Sequence, residues 1–339
     1  MTAGSVPRFH PRFDPPLRTP SLADPRAEHD GAGARPARGR TRPRLGDLAE
    51  LVRAPAALSV VGDSLAGLAA AGCTPRARHA LLPLASACLY LGGMALNDYA
   101  DRYVDATERP ERPIPSGRVT PRAALTVGTA LTAGGVAAAG AAGGRRALAV
   151  ALPLAACVWT YDLVAKDRPA GPVVMAACRG LDVLLGATAG DVRAALPAAA
   201  GLTAHTLGVT ALSRGEVHGT TRPVAGAVAA GTVAGAVAVA ATRPPGGRSA
   251  AARWTTAAAA GAYAASCLPA QARATAEPTA AHARTATRSG IQAMVPLQAA
   301  WAARSGGLGT TALLAGVAAA GYGLRLLGRA RGRAGVSIT

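Results

Sequence analysis

The sequence predicts an all-α fold, a polytopic transmembrane helix bundle of about nine helices. Three observations lead to this prediction. The chain has 339 residues and is 50% hydrophobic but only 3% aromatic, so its apolar character comes mainly from Ala, Val, Leu and Gly. Apolar windows of about 17 to 25 residues recur, each long enough to cross a bilayer of about 30 Å. The abundant Ala and Gly residues also allow helix backbones to approach one another closely in lipid.

The chain divides into a membrane domain between two polar tails. Residues 1–46 are rich in Pro, Arg and Gly and contain no apolar run of the signal-peptide kind. We therefore expect a disordered cytoplasmic tail there. We expect the transmembrane domain over residues 47–330 and a short basic tail over residues 331–339.

The apolar segments of the membrane domain account for the predicted helices. Each has the length and low charge of a helix in lipid, and proline inside some of them is tolerated where neighbouring helices satisfy the freed backbone groups. They lie near residues 51–72, 79–97, 121–142, 147–164, 172–190, 195–212, 223–241, 250–269 and 308–328. A weaker segment, residues 286–304, is compatible with a tenth span, a re-entrant piece or an interfacial helix.

The charge of the chain indicates a membrane surface and an anionic substrate. The formal net charge is +18, but Lys166 is the only lysine, and the arginines lie mainly in the first tail and in the connections. Aromatic side chains for stacking on bases are scarce. Nucleic-acid binding is therefore excluded as a function class, whereas a lipid bilayer and a phosphate-bearing substrate fit the charge.

Three polar connections are predicted to lie on the same side of the membrane. With a cytoplasmic N-terminus, residues 97–121, 162–171 and 213–222 follow the second, fourth and sixth spans and share one side. The first and third of them are rich in arginine, as the positive-inside rule expects of cytoplasmic loops. This distribution favours a protein of the cell membrane with its active site on the cytoplasmic side.

The first connection begins with a stretch of acids, NDYADRYVDATERPERPIPSG, residues 97–117. If the second span stays helical into it, Asn97, Asp101 and Asp105 are spaced i, i+4, i+8 and share one stripe of the helix, with Asp98 beside them. Such oxygen ligands repel each other unless a cation lies between them. Their chemistry suits Mg²⁺, which is commonly shared between carboxylates and substrate phosphates.

Arginines follow these acids directly. Arg109, Arg112 and Arg118 offer forked donors that match phosphate oxygens. The alternative is a solvated loop in which Asp and Arg side chains pair with each other. The position at the end of a membrane span favours a functional site, because polar residues at membrane depth are usually functional.

The acidic stretch followed by RPIPSG resembles the first aspartate-rich motif, NDxxDxxxD, of the UbiA superfamily of intramembrane prenyltransferases. This resemblance implies a bundle of UbiA prenyltransferase type. It implies Mg²⁺ bound by Asn97, Asp98, Asp101 and Asp105, and it makes Asp101 and Asp105 catalytic residues, with Asn97 also close to the diphosphate.

A second stretch, YDLVAKD, residues 161–167, resembles the Y-x-x-x-K element of the same superfamily. The resemblance implies that Tyr161 and the catalytic Lys166 approach the diphosphate, with Arg112 and Arg118 as further diphosphate ligands. The alternative is a tyrosine and a lysine that snorkel at the membrane interface.

The second aspartate-rich motif of the superfamily is reduced in this chain. Its place reads TALSRGEVHG, residues 210–219, with Glu216 as the only acid. Three interpretations are open. Glu216 could hold a second metal ion, Arg214 could replace part of the metal charge at the diphosphate, or the site could be degenerate. The SRGEVxG pattern resembles the EboC-like branch of the superfamily.

One charged pair lies inside the fifth span. Arg179 and Asp182 are spaced i, i+3, which predicts a mutual ion pair facing the bundle interior, because an isolated charge there is costly. Lining of the substrate cavity is the other interpretation, and it makes Arg179 a further candidate for diphosphate binding.

The residues and the resemblance together predict an intramembrane prenyltransferase. It would move a prenyl group from an allylic prenyl diphosphate to a small-molecule acceptor, for example an aromatic one, with Mg²⁺ as cofactor. The alternative is a non-catalytic membrane protein that binds or moves a prenyl or phosphate lipid through a degenerate site. A transporter is disfavoured, since the polar residues gather at one rim and no internal repeat is evident.

Overall fold

A computed structural model describes residues 43–53, 58–72, 76–241, 249–316 and 319. The described residues form helices and connecting turns, as predicted. The helices are α1 (Leu45–Leu51), α2 (Leu58–Ala70), α3 (Leu81–Glu108), α4 (Pro121–Thr160), α5 (Gly171–Ala187), α6 (Leu196–Ser213), α7 (Arg222–Ala241), α8 (Ala250–Ala276), α9 (Ala280–Arg304) and α10 (308–316). Apart from residues 43–46, the predicted tails lie outside the described residues, as does most of the segment after residue 316.

The helix α3 extends eleven residues beyond the apolar segment predicted to end at residue 97. It continues to Glu108 because no glycine or proline occurs between Asn97 and Pro110. Arg109, which precedes this proline, leaves the helical conformation with φ −145° and ψ 61°, as the steric clash with a following proline requires. The acidic stretch is therefore part of the helix.

The helix α4 contains two antiparallel arms. Gly144 has φ 59° and ψ −144°, a conformation that glycine adopts readily and other residues do not. Trp159 Nε1 donates a hydrogen bond to Thr132 Oγ1 at 3.2 Å, although 27 residues of straight helix would span about 40 Å. The chain therefore reverses at Gly144, which confirms two separate segments over 121–142 and 147–164.

The helices α2 and α5 cross with their backbones in contact. A Cβ atom on Gly67 would lie 1.8 Å from Val183 O, and one on Gly186 would lie 1.9 Å from Ser64 O. Only glycine permits this approach, which is the close packing that small residues provide in membrane bundles.

The weaker apolar segment over residues 286–304 is part of α9, a continuous helix and not a re-entrant piece. Its Met294, Leu297 and Trp301 side chains are buried in the largest hydrophobic cluster, together with residues of α2, α5, α6 and α8. This helix therefore runs inside the bundle.

The fold is that of a membrane-embedded helical protein. Among the described residues, four helical stretches are long and apolar enough to cross a membrane by length and composition. They are Ala77–Glu108, Pro121–Ala165, Arg193–Ser213 and Arg222–Ala241. The second of these contains both arms of α4.

Candidate active site

The three polar connections meet at one end of the bundle, as the parity of the spans predicts. Lys166, between α4 and α5, contacts Asp101 near the end of α3. Arg214, at the end of α6, donates from Nη1 to Pro169 O at 3.4 Å. The end of α3 and the connection after α4 thus meet directly, and Arg214 at the end of α6 contacts the same connection.

The carboxylates of α3 are enclosed, and cations from other segments neutralise them. Arg112 Nη1 lies 2.7 Å from Asp105 Oδ2 and 3.3 Å from Asp98 Oδ1. Arg53 Nη2 adds a contact of 3.2 Å to the same oxygen of Asp98. Asp98 and Asp105 are only 4% and 2% exposed. Asp and Arg side chains do pair here, but in a buried cluster and not in a solvated loop.

Lys166 is positioned by a π-helical turn. Four residues separate Tyr161 from Lys166, one more than in the Y-x-x-x-K element that the sequence resembles. The turn Tyr161–Ala165 absorbs the extra residue, since Lys166 N donates to Tyr161 O, five residues earlier, at 3.0 Å. Such π-turns often mark functional sites. The ammonium of Lys166 is thereby placed on Asp101 Oδ1.

A further buried acid, Asp162, joins the site and was not predicted. Asn97 Nδ2 donates to Asp162 Oδ1 at 3.4 Å, which leaves the amide oxygen of Asn97 as its remaining acceptor. Asp162 is 3% exposed, and a Cβ on Gly93 would lie 3.3 Å from its Oδ2. The signal was present in the sequence, because Asp162 directly follows Tyr161 in a stretch already singled out.

A small cavity of about 90 Å³ adjoins Asp162 on the inside of the bundle. Its walls are mostly apolar, with side chains from α2, α3, α4 and α5. The polar groups at its wall include Tyr161, Asp162, Arg179 and Asp182. An apolar chain could therefore begin next to the charged cluster.

Arg118, predicted to contact the diphosphate, has other partners. Its Nη1 lies 2.6 Å from Glu50 Oε2 and 3.0 Å from Asp47 Oδ1, and its Nη2 donates to Glu111 O at 2.7 Å. The hydrogen bond from Arg118 lowers the pKa of Glu50, and the same bond raises the pKa of Arg118. Arg118 thus fastens α1 to the loop after α3, because α1 supplies two acids that the prediction had left aside.

The predicted pair of Arg179 and Asp182 is replaced by a longer-range pair. Arg179 Nη1 lies 2.6 Å from Asp63 Oδ2 on α2, and Gln298 Nε2 donates to Asp63 Oδ1 at 2.7 Å. Asp182 instead accepts a hydrogen bond from Ser86 Oγ at 2.6 Å. The prediction of a pair within α5 was wrong because the close α2–α5 crossing brings a better-placed acid to Arg179. The alternative, cavity lining, applies to both residues.

Comparison with known proteins identifies the family. The model of the UbiA prenyltransferase family matches residues 59–332. The chain belongs to this family.

Individual proteins of known sequence or structure are similar to this chain. A digeranylgeranylglyceryl phosphate synthase of Methanothrix thermoacetophila is 44% identical over 80 residues, which are 23% of this chain and 30% of that protein. The chain thus matches less than a third of the length of this curated relative. The apo structure of a UbiA homolog from Aeropyrum pernix has a TM-score of 0.57 and 19% identity, covering 69% of this chain and 94% of the other. A UbiA homolog from Archaeoglobus fulgidus, bound to GPP and Mg²⁺, has a TM-score of 0.51 and 15% identity, covering 78% and 99%.

The contacts of Glu216, in the reduced second motif, do not involve the acids of the first motif. The backbone carbonyl of Glu216 accepts a hydrogen bond from Arg284 Nη1 at 2.5 Å, and its carboxylate is partly exposed. Within the described residues, no group of three or more Asp, Glu, His or Cys side chains is arranged to hold a metal ion. A role of Glu216 as a metal ligand stays a prediction.

The first motif nevertheless offers a donor set that fits Mg²⁺ when it is shared with a substrate. Its donors are all oxygen, from Asp98, Asp101, Asp105 and the Asn97 amide. Mg²⁺ in proteins usually takes one or two carboxylates and completes its shell with water and substrate phosphates. A cage made by the protein alone is not needed for such binding.

Proposed function

We propose that this chain is an intramembrane prenyltransferase that binds an allylic prenyl diphosphate with Mg²⁺ at the end of α3 and transfers its prenyl group to a small-molecule acceptor. One observation carries the proposal. Three carboxylates of α3 are each in contact with a cation that another segment delivers: Arg53 and Arg112 to Asp98, Arg112 to Asp105, and Lys166 to Asp101.

This alternation of charge matches a metal-bound diphosphate. Asn97, Asp98, Asp101 and Asp105 would hold Mg²⁺, which neutralises charge on the departing diphosphate when it is bound. Arg112 and Lys166 already lie against the carboxylates, so they are within reach of phosphate oxygens placed among them. Their charges stabilise the leaving group as the C–O bond breaks. We also propose Tyr161, which lines the cavity beside Asp162, and Arg214, which donates to Pro169 O in the connection after Lys166, as further diphosphate contacts.

The apolar cavity beside Asp162 lies where the prenyl end of the donor would begin. Its apolar wall would hold the carbon chain next to the bond that breaks, and the bundle would exclude water from the allylic cation. The acceptor attacks this cation and loses a proton.

We propose Asp162 as the group that takes the proton from the acceptor. It is buried at the cavity wall. Among the described residues it has the Asn97 amide as its hydrogen-bond partner and no Arg or Lys within ion-pair distance, unlike Asp98, Asp101 and Asp105. Asp162→Asn should therefore lower kcat by about 100-fold, the lower end for general-base catalysis, and leave diphosphate affinity within about twofold.

We propose two chemical classes of acceptor to be tested. Relatives carry the name digeranylgeranylglyceryl phosphate synthase, which makes a glyceryl phosphate lipid one candidate, and aromatic acids and quinols form the other. We also propose that the site faces the cytoplasm of the cell membrane, on the basis of the arginine-rich connections at this end. Thiol labelling of Glu108→Cys in intact and broken cells tests the sidedness.

A second candidate function is binding of a prenyl phosphate lipid without turnover. The observation that favours it is the loss of the second aspartate-rich motif, of which only Glu216 is left. In this second function the prenyl phosphate would bind at the same site, but its C–O bond would not be cleaved.

A donor-by-acceptor screen separates the two. The purified full chain in nanodiscs would be incubated with labelled prenyl diphosphates of several lengths, Mg²⁺ and the two acceptor classes, and pyrophosphate release would be measured. We expect release that Asp101→Asn lowers at least about 100-fold, as loss of electrostatic stabilisation in a site does. Glu108→Gln is the matched control, because Glu108 is an exposed acid on the same helix. Donor binding without release in any acceptor pool would support the second candidate.

A further inference from the structure

A second cavity lies at the opposite end of the bundle from the acidic motif. It has a volume of about 530 Å³, within the range of about 300 to 1,000 Å³ of small-molecule sites. Its walls come from the turn between the arms of α4, the helical turn just before α3 and the residues just after α5. This cavity is not part of the site that we propose for prenyl transfer.

Small residues in the turn between the two arms of α4 leave room for this cavity. Residues 140–144 read GAAGG and form most of one wall. At the positive φ of Gly144, a Cβ atom would meet nothing within 4 Å. The wall is therefore backbone and methyl groups, which can approach a ligand closely.

The charged groups of the cavity are all basic. Arg78 and Arg146 line it, together with His79, and no acidic residue does. Within the described part of the chain, neither arginine has a carboxylate within 4.0 Å. Arg78 and Arg146 are exposed, whereas Arg112 and Arg118 near the acidic motif are paired with acids. Two arginines on one cavity without a counter-charge favour an anionic ligand.

The cavity lies at the depth of lipid headgroups. The first arm of α4, residues 121–143, would span about 35 Å at 1.5 Å per residue, slightly more than a hydrocarbon core of about 30 Å. Because this arm starts at the acidic end, its turn lies at the other membrane surface. Arginine side chains bind phosphate through paired donors, and basic pockets between membrane helices suit anionic lipid headgroups.

We propose that the cavity lined by Arg78 and Arg146 binds a phosphate group at this membrane surface, and that the phosphate is the head of an anionic lipid. The site is independent of prenyl transfer, so it stands or falls separately from the proposed function.

The test measures lipid retention. The full chain would be reconstituted with equal amounts of phosphatidylglycerol and phosphatidylcholine, and the bound lipids would be counted by native mass spectrometry across a lipid titration. We expect preferential retention of phosphatidylglycerol, weakened about fivefold by Arg78→Ala or Arg146→Ala and about 30-fold by both, as expected for two basic residues near a charged lipid. Arg78→Lys with Arg146→Lys should keep most of the binding.

The matched control is Arg145→Ala. Arg145 precedes Arg146, is also exposed and does not line the cavity, so its replacement removes the same charge at the same surface. A control effect equal to that of Arg146→Ala, or equal retention of the two lipids, would overturn the site. Displacement of phosphatidylglycerol by millimolar inorganic phosphate would overturn the assignment to a lipid and indicate a free anion.

Discussion

The buried ion pair between α2 and α5 allows a quantitative prediction about the bundle. Asp63 is fully buried, and its carboxylate contacts Arg179 at 2.6 Å and Gln298 at 2.7 Å. Removing one partner of a buried pair costs about 3 to 5 kcal/mol, because the other charge is left in the interior without compensation. We expect a loss of this size in the free energy of unfolding for Asp63→Ala.

The conservative change Asp63→Asn should cost less. The amide keeps the shape of the carboxylate, and its oxygen can still accept a hydrogen bond from the guanidinium of Arg179, worth about 1.5 to 3 kcal/mol. Subtracting this bond from the cost of breaking the pair leaves a destabilisation of about 2 kcal/mol.

Reversible unfolding in detergent micelles, followed by circular dichroism, measures these losses. The control is Ser64→Ala, because Ser64 is the next residue, equally buried, and among the described residues its hydroxyl donates within α2, to Val61 O at 3.1 Å. We expect at most about 1 kcal/mol for this control, and a coupling energy above about 1 kcal/mol in a double-mutant cycle of Asp63→Asn with Arg179→Gln. If Asp63→Asn is no more destabilising than Ser64→Ala, or the coupling is below about 0.5 kcal/mol, the pair does not hold the helices as described.

Three further outcomes follow from the same contacts. Gly186→Ala should destabilise the bundle by at least about 1 to 3 kcal/mol in the same unfolding assay, since backbone atoms must move apart, whereas Gly134→Ala, where a Cβ meets nothing within 4 Å, should be neutral or slightly stabilising. Arg112→Lys should weaken prenyl diphosphate binding about tenfold in equilibrium titrations, because the compact ammonium of lysine lacks the planar fork of donors that matches phosphate oxygens; unchanged affinity would exclude this role of the guanidinium. Since Arg118 lowers the pKa of Glu50 below its ordinary value of 4.5, the contribution of this pair to α1 docking should be present above pH 4.5 and be lost as the pH falls through the lowered pKa, seen as faster amide exchange in α1. Glu50→Gln should reduce this pH step, and the pair of Arg118 with Asp47 should leave a smaller one.

The helices and the acidic stripe could be predicted because each depends on local pattern. Apolar segments of membrane length give the helices, and the spacing of Asn97, Asp101 and Asp105 gives their common face once the chain stays helical up to Pro110. The turn at Gly144 could be placed to within a few residues, since a glycine pair separates two apolar segments. These features can be predicted without knowing which helices are in contact.

The partners of the charged side chains could not be predicted, because they depend on helix contacts. Arg179 has Asp182 one turn away in sequence, but the glycines at the α2–α5 crossing bring Asp63 closer. Arg118 has acids of its own stretch nearby, yet α1 supplies the ones it binds. Arg53 reaches Asp98 only because the chain after α1 turns towards α3, with Arg53 itself at φ 47°.

The central claim is that the acids of α3 bind a prenyl diphosphate through Mg²⁺. The most direct test is the affinity of the purified chain for geranylgeranyl diphosphate, measured by calorimetry with Mg²⁺ and with a chelator, in the unmodified chain, Asp105→Asn and Glu108→Gln. We predict binding that requires Mg²⁺, weakens at least about tenfold in Asp105→Asn and is unchanged in Glu108→Gln. Equal affinity with and without Mg²⁺, or equal affinity in the two variants, would contradict the claim.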